Sequence, residues 1–169
     1  GANQHPTQTL LDMYSIRKTQ GTLENLSITV VGDLKYGRTV HSLLQAMSHF
    51  KPRFRFISCP ELAIPQEYID FLDSRKIPYT QHNLLEGQID DTDILYMTRI
   101  QQERFQDPME YERVKNLMSL DVSMLTNTRP NLRILHPLPR VKEISTNVDD
   151  RPEAYYFEQA RNGVYTRMG

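Results

Sequence analysis

Tryptophan is absent from the 169 residues, glycine occurs seven times and cysteine once, at Cys59. A single cysteine excludes an intrachain disulfide and any zinc site built on thiolates. It reads as a lone buried thiol in a reducing compartment. No apolar run approaches the roughly 20 residues needed to span a bilayer. The opening Gly1-Ala2-Asn3-Gln4-His5-Pro6-Thr7-Gln8 has neither the basic region nor the apolar stretch of a signal peptide. A surplus of charge is missing too, since 20 Lys and Arg stand against 21 Asp and Glu, a net charge of −1. That balance excludes a broad basic surface for nucleic acid, and an acidic tail. The expectation is a cytoplasmic protein with no nucleic-acid and no membrane partner.

What is present suits a buried core. The hydrophobic fraction is 38% and the charged fraction 24%, and the length matches one domain over residues 1–169. Apolar residues at helical spacing (Leu10, Leu11, Met13, Tyr14, Ile16) predict a helix from Pro6 to Gln20, stopped by Gly21. Leu26 to Val31 reads as a buried strand, and a helix over Arg38–His49 follows a glycine-bounded loop. The alternation continues with strands at 54–58, 78–81, 93–98 and 132–136. Helices fall at 66–75, from about Pro108, briefly at 122–126, and over Glu153–Arg161 with Asn162-Gly163 as its stop. Strands separated by helices of this length make βαβ units. The fold class is therefore α/β, a three-layer α/β/α arrangement with a Rossmann-like parallel sheet of four to five strands.

In such sheets, ligand groups gather in the loops after the carboxyl ends of the strands. Polar residues concentrate there, in Gly37-Arg38-Thr39-Val40-His41-Ser42, in Met97-Thr98-Arg99-Ile100-Gln101, and in His136-Pro137-Leu138-Pro139-Arg140. His5-Pro6-Thr7-Gln8, at the start of the first helix, joins them at one edge of the sheet. Arg38 opens a helix, beside free N–H groups and the positive end of its dipole. Arg99 offers a second planar fork, and two such forks suit a dicarboxylate. Ordinary surface salt bridges would explain the same two arginines. Pro137-Leu138-Pro139 removes two backbone donors and leaves carbonyls able to accept from an amide-type NH2, or it serves only as a rigid strand exit. His5 and Gln8 share a helical face, where His5 either polarises a substrate carbonyl or is merely solvated. His41 and His136 read as structural. Asp90-Asp91-Thr92-Asp93 reads as a solvated loop without partners at metal-like spacing, and Gly32 to Gly37 is neither a Walker loop nor a dinucleotide fingerprint.

Together, and in this order, the segments His5 to Asp12, Val31 to Ser42, Leu95 to Gln101 and His136 to Arg140 resemble the aspartate carbamoyltransferase catalytic chain. The sibling ornithine enzymes carry His-Cys-Leu-Pro in the last motif, whereas Pro137 stands there in this chain, which favours aspartate as the second substrate. The resemblance implies transfer of the carbamoyl group of carbamoyl phosphate to L-aspartate, giving N-carbamoyl-L-aspartate and phosphate in de novo pyrimidine biosynthesis. It implies that His5, Gln8, Leu138 and Pro139 bind carbamoyl phosphate, and that Arg38, Arg99 and Gln101 bind aspartate. Within that set His5, Arg38 and Arg99 carry the chemistry. Glu103 and Arg104 resemble residues of a mobile loop, and Lys35, Tyr36, Glu110 and Tyr111 resemble contact and switching positions. No metal and no cofactor is implied.

The family's Ser-Thr-Arg-Thr phosphate loop has no counterpart in this sequence, nor has the loop that a neighbouring subunit contributes. The chain therefore reads as the aspartate-binding domain alone, without the family's N-terminal carbamoyl-phosphate domain or its C-terminal helix, and inactive by itself. The resemblance further implies a full-length parent that forms a homotrimeric catalytic subunit, with or without regulatory subunits. The alternative is a non-catalytic Rossmann-like module that binds a dicarboxylate. Such a module needs neither His5 nor the Pro137-Leu138-Pro139 turn.

Overall fold

Every strand pairing is parallel, and the strand that comes first in the chain lies at the centre of the sheet. The computed structural model describes the backbone of residues 4–137 and 143–168, and the side chains of 7–137 and 143–162. Strands β1 (Ser27–Val31), β2 (Arg53–Ile57), β3 (Tyr79–His82), β4 (Ile94–Met97) and β5 (Arg133–Leu135) form one five-stranded sheet in the order β3-β2-β1-β4-β5. Five strands meet the upper expectation from the sequence. Helices α1 (Gln4–Gln20), α2 (Arg38–Met47), α3 (Gln66–Ser74), α4 (Pro108–Met118) and α5 (Tyr156–Met168) connect and cover it.

Alternation along the strands divides the core in two. Ile28, Val30, Phe54, Phe56, Ile94 and Tyr96 face one layer, packed by Ile16 of α1, Val40, Leu43, Leu44 and Met47 of α2, and Ile69 and Leu72 of α3. Val31, Ile57, Leu95, Met97 and Ile134 face the other, under Val114 and Met118 of α4 and Tyr156 of α5. Each such side chain, fully buried, contributes about 1.5–3 kcal/mol. Cys59 belongs to the second layer, and burial pushes its thiol up to about 11, so it behaves as a small hydrophobe. Among the described residues no helix is long and apolar enough to cross a membrane.

Three expectations need correction. The last helix begins later than Glu153, because the segment before it docks along β5. Ile134 donates to the Glu153 carbonyl at 2.7 Å, and Tyr155 donates back to the Ile134 carbonyl at 3.0 Å. The helix then runs through Asn162-Gly163 to Met168 rather than stopping there. Asn162 is buried and its Nδ2 donates to Ser15 Oγ (3.2 Å) and to the Tyr155 hydroxyl (3.0 Å). A side chain held by those tertiary contacts does not terminate the helix as an isolated Asn-Gly would.

Helix α1 does not bury its apolar series as a unit. Ile16 is inaccessible, but Leu10 and Tyr14 are exposed, and Asp12 and Ser15 take the inner positions. The acidic tract before β4 is only half solvated. Thr92 is buried with its hydroxyl 2.7 Å from that of Thr29. Asp93 is also buried, accepting from the Ser27 N–H (2.9 Å), Asn131 Nδ2 (2.8 Å) and Arg129 Nη1 (2.9 Å). Burial alone would raise the Asp93 carboxyl, but those donors outweigh it and hold it below its usual value. They lie far along the chain, so local composition could not announce them.

Candidate functional site

The carboxyl ends of β1 and β4 are locked together by Thr98. Its N–H donates to the Val31 carbonyl at 2.9 Å, and its hydroxyl donates to the same oxygen at 2.8 Å while accepting the Asp33 N–H at 3.1 Å. Gly32, at φ +120°, lies so close that a Cβ would collide with Thr98 Oγ1 and its main-chain oxygen. Glycine is therefore required by conformation and by space. Asp33 Oδ1 then accepts the Tyr36 N–H at 3.0 Å, closing an Asx turn. Gly37 passes against the Asp33 carbonyl, where a side chain would again collide, and its own carbonyl accepts the first bonds of α2 from Val40 and His41. This sequence of turns delivers Arg38 to the first position of α2.

Two hollows flank this loop. One, of about 430 Å³, is lined by Lys35, Arg38, His41, Gln45, Glu67 and Tyr68. The other, of about 380 Å³, is lined by Glu61, Leu62, Arg104, Phe105, Asp107 and Glu110. Lys35 and Tyr36 line both hollows and separate them. The Arg104 guanidinium lies 4.1 Å from the centroid of the Tyr36 ring and Lys35 Nζ 5.3 Å from it. This clasp joins the turn after β4 to the loop after β1, contributing about 0.5–1 kcal/mol per contact at an exposed ring. His41 Nε2 is 2.7 Å from the Leu34 carbonyl, so that nitrogen carries the proton, and its ring stacks on Tyr68 at 4.2 Å. His41 is structural, as its place in the sequence suggested.

Arg38 and Arg99 are both exposed, at the ends of adjoining strands. Neither makes an ion pair or hydrogen bond with a described residue, so the surface-salt-bridge explanation fails for them. A third hollow, about 160 Å³ at the opposite edge of the sheet, shows the contrast. Its Arg53 is held by Ser27 Oγ at 2.7 Å, and its Arg55 by Asp91 at 2.6 Å and the Gln88 carbonyl at 2.5 Å. Cations held by fixed acceptors in this way are structural; unpaired ones are available to an anion.

The remaining expected residues are placed unevenly. Gln101 is half-buried, and its carbonyl accepts from Arg104 at 3.1 Å, shaping the turn over Gln102–Arg104 that also carries exposed Glu103. Glu110 pairs with Arg113 on α4, which lowers its carboxyl, and Tyr111 packs 5.8 Å from Phe105. His5 lies in the first turn of α1, with its side chain outside the described residues. Leu138 and Pro139 lie wholly outside them. His136 is buried with Nε2 3.6 Å from Glu143, and neither ring nitrogen hydrogen-bonds to a described residue, so nothing fixes its ring as the Leu34 carbonyl fixes that of His41. Among the described residues no group of three His, Cys, Asp or Glu is placed to hold a metal ion.

Gln8 is tied to a group that the sequence did not single out. Its Nε2 donates at 2.8 Å to Asp12 Oδ1, which also accepts from Gln159 Nε2 at 2.6 Å, while Asp12 Oδ2 accepts from the Tyr96 hydroxyl at 2.7 Å. Asp12 is inaccessible to solvent. Burial raises its carboxyl from 3.8 to about 6, against the lowering pull of these three hydrogen bonds. Its place at the end of the His5 to Asp12 segment, four residues after Gln8, was the signal available beforehand.

Residues 24–169 match the family model described as the Asp/Orn-binding domain of aspartate/ornithine carbamoyltransferase. An aspartate carbamoyltransferase catalytic subunit from Bacteroides fragilis is 65% identical over 169 residues, covering 99% of this chain and 55% of that protein. The solved catalytic subunit of aspartate transcarbamoylase from M. jannaschii superposes with a TM-score of 0.92 at 46% identity, over 98% of this chain and 55% of that one. The Trypanosoma cruzi aspartate transcarbamoylase, solved with carbamoyl phosphate and aspartate, gives 0.87 at 32% identity, over 97% of this chain and 53% of its own. The chain thus spans about half the length of the relatives it matches.

Proposed function

The chain belongs to the aspartate/ornithine carbamoyltransferase family, and on that premise we propose that it is the aspartate-binding half of an aspartate carbamoyltransferase. The carrying observation is the pair Arg38 and Arg99, exposed and unpaired at the ends of two strands locked together by Thr98. In this reading the two guanidiniums and Gln101 hold the carboxylates of L-aspartate, so that its neutral amine meets the carbamoyl carbon at attack distance. Gln8, Leu138 and Pro139 hold carbamoyl phosphate. His5 donates to the carbamoyl oxygen as it becomes negative in the tetrahedral intermediate. The carbon–phosphate oxygen bond then breaks, phosphate leaves with its electron pair, and the amine loses its proton. The product is N-carbamoyl-L-aspartate, an early intermediate of pyrimidine synthesis.

An N-terminal carbamoyl-phosphate domain completes the site in this proposal, and the parent catalytic chain works as a homotrimer. The test measures carbamoyl-aspartate formation by this chain alone and mixed with a separately expressed carbamoyl-phosphate domain. Activity in the mixture alone is the expected result. No activity in either, with succinate still bound, would replace the enzyme by a dicarboxylate-binding module.

A further inference from the structure

Asp12 joins two segments that the proposed function assigns separately to carbamoyl phosphate. Gln8 reaches it from one turn earlier on α1, and Gln159 reaches it from α5, 147 residues away in the chain. The second amide does not end there. Gln159 Oε1 accepts the backbone N–H of His136 at 2.7 Å, at the exit of β5 and the entrance to Pro137-Leu138-Pro139. A continuous chain of short hydrogen bonds therefore runs from Gln8 through Asp12 and Gln159 to the β5 exit, with Tyr96 of β4 as its fixed point.

The chemistry of the donor set gives this chain a direction. A carboxylate only accepts, so both glutamines must turn their NH2 groups toward Asp12. That choice leaves Gln8 Oε1 as the acceptor end of its amide, matched to a substrate NH2. It leaves Gln159 Oε1 as the acceptor for the His136 N–H, which a reversed amide could not satisfy. Without Asp12, the Gln8 amide loses the acceptor that orients it, and Gln159 is held only through the His136 N–H.

We propose that Asp12 is a positioning residue for carbamoyl-group binding: one buried carboxylate sets the amide orientation of Gln8 and, through Gln159, the placement of the β5 exit. The role rests on the carbamoyltransferase reading above. Asp12 does not touch substrate; it acts through Gln8 and His136. Substitution by asparagine keeps the shape but removes the charge and one acceptor oxygen, which weakens the hold on both glutamine amides.

The test places Asp12→Asn in the chain joined to a carbamoyl-phosphate domain. The KM for carbamoyl phosphate should rise about tenfold or more, with the KM for aspartate changing less than about twofold. Arg38→Ala should show the reverse split. A rise in both constants together, or in neither, overturns the positioning role. A second measurement needs no turnover: in the 169-residue chain by itself, Asp12→Leu should speed amide exchange at His136 at least about tenfold while leaving Val30, inside β1, unchanged. Unchanged exchange at His136 in this chain, with the joined wild type active, overturns the positioning role alone. Absence of turnover in the joined wild type overturns the carbamoyltransferase reading instead.

Discussion

The two edges of the sheet handle charge in opposite ways. At the amino edge, Arg53, Arg55 and Arg129 each have a fixed acceptor, and Asp93 sits below its usual carboxylate value among a backbone N–H, an amide and a guanidinium. At the carboxyl edge, Arg38 and Arg99 have no partner among the described residues, and Asp12 is surrounded by neutral donors that leave its carboxyl raised to about 6. Both carboxylates are buried, so burial alone does not decide their state. The donors do: the Ser27 main-chain N–H lowers Asp93 most, followed by Asn131 and the Arg129 guanidinium, whereas Asp12 has neither a main-chain N–H nor a cation among its donors. One edge satisfies its charges internally, and the other leaves two arginines without a partner among the described residues, as the proposed aspartate site requires.

The strongest break of this contrast is Asp93→Leu. It leaves Arg129, Asn131 and the Ser27 N–H facing an apolar group, and should cost about 3–5 kcal/mol in chemical denaturation, with succinate affinity per folded molecule unchanged. A loss of affinity without a loss of stability would reverse the roles of the two edges.

Next comes the pH dependence of stability. Asp12 has a folded value near 6 against 3.8 ordinarily, so its ionised form is penalised in the folded chain. Its favourable contribution is present below about pH 4 and is lost as pH rises through about 6, on the order of 3 kcal/mol in all. The groups around it are Gln8 on its own helix, Tyr96 on β4, Gln159 on α5 and, against the Tyr96 hydroxyl, Thr39 on α2. None carries charge at neutral pH. Asp12→Asn should remove this step, while the carboxyls held low (Asp91, Asp93, Asp121 and Glu110) titrate equally in both proteins and cancel in the difference. Parallel stability curves for wild type and Asp12→Asn between pH 4 and 7 would refute it.

Arg38→Ala sharpens the comparison from the ligand side. Succinate binding, followed by calorimetry, should weaken by about 1–3 kcal/mol, the size of a lost charge-assisted hydrogen bond, with the unfolding midpoint unmoved. Arg113→Ala gives the smallest effect. It removes a solvent-exposed i,i+3 pair with Glu110 and should change neither midpoint nor affinity. A clear drop in either would mean that charge removal as such, not its location, governs the Arg38 result.

Much of this architecture was legible in the chain because it rests on short-range regularities. The β-branched run before Gly32 and the spacing of Val40, Leu43, Leu44 and Met47 announced β1 and α2 through periodicity alone. The placement of Arg38 and Arg99 followed from topology, since parallel strands deliver their loops to one edge. What escaped depends on distant partners. Asn162-Gly163 looks like a helix stop until Ser15 and Tyr155 take up the Asn162 amide. Asp93 looks solvated until Arg129 and Asn131 close over it. Asp12 stands in a motif whose apolar neighbours Leu10 and Tyr14 turn outward, so amphipathicity pointed to the wrong face of α1.

The strand order also has a temporal side. β1 is the hub of the sheet, yet one of its two neighbours, β4, begins at Ile94, some sixty residues after Val31. At a synthesis rate of about 5–20 residues per second, roughly 3–12 s separate the emergence of the two strands. Throughout that interval, one side of the hub carries unpaired N–H and C=O groups and exposes Val30 and Val31 to whatever is nearby. Closing such a loop is slow compared with forming helical contacts. The nascent chain is thus most prone to stray pairing before residue 97 is made.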